Sequence, residues 1–121
     1  MKSAALIVTP EIDLQGYAEE TEGIRWFANQ QGRELVLILH WSEMNLLDIC
    51  NALSKNGIER MYVWGIKKMP DMKRIFAILV LCEELEIEVF SMFEDGVIKS
   101  DFIGEILRHD YSLNSDISSK S

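Results

Sequence analysis

Short apolar runs alternate with longer amphipathic ones along this chain, and the stretch Glu59 to Gly96 shows the pattern most clearly. Met61-Tyr62-Val63-Trp64 is too short for a helix and rich in strand formers. From about Asp71 to Leu85 the pattern becomes helical, with Ile75, Phe76, Ile78, Leu79, Leu81, Cys82 and Leu85 in one broad stripe. Val89-Phe90-Ser91-Met92-Phe93 is apolar and short again. A strand, a helix and a strand at this spacing form a βαβ crossover. Its strands should be parallel, because a right-handed crossover returns the chain in the same direction.

The rest of the chain repeats this unit. Ala4-Ala5-Leu6-Ile7-Val8 reads as a strand buried on both faces, and Thr9-Pro10 ends it, since proline has no N–H for a ladder. Tyr17, Thr21, Ile24, Phe27, Ala28 and Gln31 recur at helical steps, with Gly32 placed for a left-handed C-cap. Gly23 weakens the first half of that helix by about 1 kcal/mol against alanine. Leu35 to Leu39 is a second inner strand. Ser42 is the expected cap of a helix carrying Leu46, Leu47, Ile49, Cys50 and Leu53, closed by Gly57. Ile58 to Trp64 is the third strand. After Gly96, Ser100 or Asp101 can cap a short helix bearing Phe102, Ile103, Ile106 and Leu107.

The expected fold is therefore α/β: an open, mainly parallel four-stranded sheet in order 2-1-3-4 with helices on both faces. One domain covers residues 1–110, and the polar residues 111–121 are expected to be a disordered tail. In such folds ligands bind beyond the carboxyl ends of the strands. Here those ends are Thr9-Pro10, His40-Trp41, Gly65 to Lys68 and Glu94-Asp95.

Charge and motif content exclude several classes. The net charge of −8 opposes general affinity for nucleic acid or for an anionic membrane. No apolar run approaches the roughly 20 residues of a spanning helix, and no signal peptide is read at the start. Cys50 and Cys82 fall on apolar helix faces, as buried free thiols of a cytoplasmic protein do. Neither GxGxxG nor GxxxxGK[ST] occurs, so no nucleotide cofactor is expected. His40 and His109 lack a cysteine or histidine partner at ligand spacing, so no metal is expected. Glu83, Glu84, Glu86 and Glu88 read as a solvated face. Lys67, Lys68, Lys73 and Arg74 form the densest basic segment, at a strand end, as a solubilising loop or as a contact for an anion or a partner.

At that loop the sequence resembles the catalytic domain of serine recombinases, the resolvase/invertase family. Val63-Trp64-Gly65-Ile66-Lys67-Lys68-Met69-Pro70-Asp71 stands where the family has V-x-V-W followed by D-R-L-x-R. Ile87 to Gly96 resembles its next strand, which ends in an acidic residue and D-G. Asp95-Gly96-Val97-Ile98 and Asp101-Phe102-Ile103-Gly104 resemble D-G-I-S-T-D-G-Y-I-G. Leu6-Ile7-Val8-Thr9 stands at A-R-V-S, and Phe27 to Leu35 resembles the end of the first helix and the second strand. The likeness spans residues 4–108. It places the nucleophilic serine at Thr9, its first arginine at Ile7, the D-R pair at Lys67 and Lys68, and the following arginine at Asp71.

Those departures remove the expected chemistry. Strand cleavage needs a placed hydroxyl and fixed cations around phosphate oxygens, and lysine does not reproduce the planar arginine fork. The expectation is a catalytically inactive, resolvase-like module, regulatory or protein-binding. The resemblance adds an origin in a phage or mobile element. A protein partner or a homodimer is expected through Phe102, Ile103, Ile106 and Leu107, because the family's dimer helix starts there. DNA binding should be weak or absent. Two alternatives stand beside this reading. One is a divergent recombination protein using Thr9 with Lys67 and Lys68 as cations. The other is an unrelated open-sheet signalling domain, since one fold serves many functions.

Overall fold

The computed structural model describes residues 2–108. The expected tail and His109 lie outside them. The order of elements is β1 (Lys2–Ile7), α1 (Leu14–Gln30), β2 (Glu34–His40), α2 (Leu46–Lys55), β3 (Arg60–Val63), a 3-10 turn (Ile66–Lys68), α3 (Met72–Glu84), β4 (Glu88–Ser91) and β5 (Gly96–Val97). A further helix, α4, occupies residues 100–108.

The sheet has five strands in order 2-1-3-4-5, one more than expected. The first four are parallel, and β5 adds to β4 antiparallel, with Phe90 opposite Val97 and Ser91 opposite Gly96. Gly96-Val97 is too short to show a period of its own. It follows a tight turn in which Asp95 takes φ 55° and its N–H donates to the Met92 carbonyl at 3.2 Å.

Alternation along the inner strands divides the core in two. Ala4, Leu6, Met61, Val63 and Val89 face α2, α3 and α4, while Ala5, Ile7, Tyr62 and Phe90 face α1. The α1 face is closed at its edge by Phe27, Tyr62 and Phe90, whose ring centroids lie 5.4–6.0 Å apart. The Arg60 guanidinium covers Phe90 at 5.0 Å and binds Glu88, holding that carboxyl below its usual range. Cys50 and Cys82 are free and buried, and burial above all pushes the Cys82 thiol up to about 12.

Several local readings change. The cap of α2 is Asn45, not Ser42: Asn45 Oδ1 accepts from Asp48 N at 2.8 Å, and the Asp48 carboxylate accepts from Asn45 N. With the helix starting at Leu46, Leu47 turns outward and is 68% exposed. Gly23 does not interrupt α1. A Cβ there would sit 2.6 Å from Trp64 Cζ3, so the missing side chain lets the indole lie against the helix. Glu83 is not merely solvated, because its carboxylate accepts both the N–H and the hydroxyl of Ser100, at 2.6 and 2.9 Å, and so caps α4.

Three helices end in a left-handed residue, at Gly32, Gly57 and Glu86. Only the last carries a Cβ, at φ 59°. An L side chain costs about 1–2 kcal/mol in this region, and glycine's greater freedom when unfolded returns part of that. Glu86→Gly is therefore expected to stabilise the domain by about 0.5–1 kcal/mol, which thermal unfolding would read as a rise in Tm of roughly 2–6 °C.

Candidate functional site

The carboxyl edge of the sheet gathers the loops after β1, β2, β3 and β4. Thr9 lies in the loop after β1. Its hydroxyl donates to Glu20 Oε1 at 2.6 Å, and its N–H donates to the same oxygen at 3.0 Å. Val8 N–H donates to Glu20 Oε2 at 2.9 Å. Glu20 stands on the inward face of α1, only 7% exposed. It lines a small pocket of about 180 Å3 with Val8, Thr9, Trp64 and Gly65. A carboxylate therefore lines this pocket beside the Thr9 hydroxyl.

Two of the other residues singled out in the sequence, Ile7 and Asp71, serve packing and capping. Ile7 is 1% exposed and packs under α1. Asp71 caps α3, its Oδ1 accepting from Lys73 N and Arg74 N at 3.1 Å each. Lys67 is exposed, with Nζ 5.9 Å from the centre of the Phe102 ring. Lys68 ends the 3-10 turn. Lys73 is exposed, but Arg74 does not join a basic patch. Its guanidinium lies 4.3 Å over the Trp41 ring and donates to the Trp41 carbonyl at 2.8 Å and to the Met44 carbonyl. It ties the β2–α2 loop to α3.

Glu94 performs a similar task for the turn after β3. Its carboxylate accepts from Ile66 N at 3.3 Å, from Lys67 N at 3.2 Å and from the Ser91 hydroxyl. Burial raises its pKa, but these bonds outweigh burial and hold it below the ordinary value of 4.5. A depressed pKa contributes stability above the unfolded value and loses it as pH falls through the folded one. The urea midpoints of wild type and Glu94→Gln should thus differ by a constant amount above about pH 5.5 and converge as pH drops below 4.5. A difference independent of pH would refute this assignment.

Of the stripe on α4, Ile103 is fully buried in the main core, while Phe102, Ile106 and Leu107 are half-buried against it. Ile103 is thus a core residue and is not available to a partner. A concavity of about 550 Å3 lies at the opposite, amino end of β4, between Glu83, Glu86, Glu88 and Val97 to Asp101.

One cluster was not read from the sequence. Glu11, His40 and Glu43 come together at the β2 end of the same edge. They are separated by 29 and 3 positions and belong to two different loops and a strand end, so no ligand spacing announces them. Glu20 did leave a signal. It falls on the buried stripe of α1, between Tyr17 and Ile24, where a carboxylate needs a partner.

The fold is that of serine recombinase catalytic domains. The chain is similar to a resolvase family site-specific recombinase from Streptococcus pneumoniae, at TM-score 0.69 and 10% identity, covering 98% of this chain and 95% of that one. It is also similar to the C-terminal catalytic domain of ISC1926 TnpA, an IS607-like serine recombinase, at TM-score 0.65 and 11% identity, covering 99% and 85%. No family model matches the sequence, and no curated protein does. No described helix is long and apolar enough to cross a membrane.

Proposed function

We propose that this chain is a recombinase-fold domain without strand-cleaving chemistry, acting as a cytoplasmic regulatory or protein-interaction module. The observation that carries this reading is the bond from the Thr9 hydroxyl to the buried Glu20 carboxylate. Phosphoryl transfer depends on cations placed around the phosphate oxygens. Here the corresponding pocket holds a carboxylate, and its lining contains no lysine or arginine. Arg74, the nearest substitute in sequence for a clamp, is bound to two carbonyls of its own chain. DNA binding is weak and falls steeply with salt, because the net charge of −8 opposes it. The half-buried Phe102, Ile106 and Leu107 on α4 supply the contact for a protein partner or a second copy.

The test is incubation with supercoiled DNA followed by mass spectrometry of the protein. No nicking and no covalent adduct are expected, from wild type or from Thr9→Ser, since Glu20 remains in both. A 5′-phosphoryl adduct on Thr9 would establish the divergent recombinase instead. Light scattering on the same preparation measures association. A strictly monomeric chain that captures no protein from its host would end the interaction reading.

A further inference from the structure

The cluster at the β2 end of the carboxyl edge supports a reading independent of the one above. Glu11 lies in the β1–α1 loop, His40 ends β2, and Glu43 lies in the β2–α2 loop. One ligand atom from each falls within 4.8 Å of the others. His40 Nε2 stands 3.5 Å from Glu11 Oε1. Two donors bound to one tetrahedral zinc ion, at bonds near 2.1 Å, are about 3.4 Å apart. The pair therefore already has the separation of neighbouring ligands, and a carboxylate rotation brings in the third.

We propose that Glu11, His40 and Glu43 bind a divalent transition-metal ion, with zinc the best match. One imidazole and two carboxylates suit zinc, nickel and cobalt. Calcium and magnesium prefer all-oxygen shells with more ligands. Two further observations support the site. Two carboxylates converge here, and among the described residues neither forms an ion pair with a lysine or arginine. The donors are also held in place from behind. The His40 ring stacks on Tyr17, centroids 5.7 Å apart and planes 9° from parallel. Trp41 N–H donates to the Ile7 carbonyl at 2.9 Å. The Arg74 fork fixes the carbonyls of Trp41 and Met44, on either side of Glu43. Such outer support orients ligands before the metal arrives. The side chain of Glu11 is 58% exposed and that of His40 22%, so an ion reaches them from solvent. Bound there, it clips the β1–α1 loop to the β2–α2 loop and leaves one coordination position open toward the carboxyl edge.

Calorimetric titration of the full chain with zinc chloride tests this, in a buffer that does not chelate. One ion per chain is expected, with a dissociation constant on the order of 10 μM or tighter. Cobalt in place of zinc should give the visible absorption of a tetrahedral centre. Affinity should fall at least about tenfold in His40→Ala and in the Glu11→Gln/Glu43→Gln pair, both confirmed as folded by circular dichroism. The paired change touches the two exposed carboxylates and leaves the core intact, so it stands as the test even if His40→Ala unfolds. Unchanged affinity in either folded variant, or no binding by the wild type, would overturn the proposal.

Discussion

Ile103→Asp is expected to leave the domain largely unfolded. Ile103 is fully buried, and it sits in the core that α2, α3 and α4 close over one face of the sheet. Truncating such a side chain costs about 2–5 kcal/mol on its own. A carboxylate without a partner in that place adds several kcal/mol more. The sum is comparable with the roughly 5–15 kcal/mol that holds a whole domain together. Leu107→Asp, one turn further along, should behave differently. Leu107 is half-buried, so a carboxylate there reaches water, and the expected cost is about 1–2 kcal/mol. Far-ultraviolet circular dichroism and urea unfolding separate the two variants. A folded Ile103→Asp with an unchanged midpoint would show that α4 does not belong to the core. A folded Leu107→Asp that no longer associates would place the partner on its outer side.

The contrast within α4 shows what sequence pattern can and cannot supply. The stripe Phe102, Ile103, Ile106 and Leu107 is legible as a helix face, but a stripe does not say what it lies against. The sheet's order for the first four strands and the presence of helices on both its faces were readable for a related reason. Buried parallel strands appear as uninterrupted apolar runs, and the crossover rule leaves few ways to join them. The fifth strand was not readable, because two residues pairing through backbone carry no period. The caps divided similarly. Gly32 and Gly57 announce left-handed positions by their residue type, whereas Glu86 occupies one without any compositional mark. At the carboxyl edge, the strand ends predicted where a site should lie but not its content. Arg74 counted as one of four clustered cations in sequence, yet the fold turns it inward on Trp41. Glu11, His40 and Glu43 meet only because adjacent parallel strands β1 and β2 bring their following loops side by side, with Ile7 opposite His40.

Glu20→Ala should destabilise the domain by about 3 kcal/mol, the second large effect. Three donors, Val8 N–H, Thr9 N–H and the Thr9 hydroxyl, would lose their acceptor together. Each unsatisfied, part-buried donor costs about 1–3 kcal/mol, and water entering the enlarged pocket recovers part of this. Glu20→Gln keeps one carbonyl oxygen but sets an amide donor against the remaining donors, so about 1–2 kcal/mol is expected. The Thr9 share is separable by a double-mutant cycle with Thr9→Val. The hydroxyl donates to a charged acceptor at 2.6 Å, so the coupling should be about 1.5 kcal/mol or more. Additive effects would mean that the two side chains do not interact in solution. The same variants bear on function. If Glu20 repels phosphate, removing it should strengthen anion binding at this pocket without creating cleavage. Ile7 is inside the core and Asp71 caps α3, so neither supplies a cation to this pocket. DNA nicking by Glu20→Gln would instead reveal a masked nuclease site, with the carboxylate as the only barrier to its chemistry.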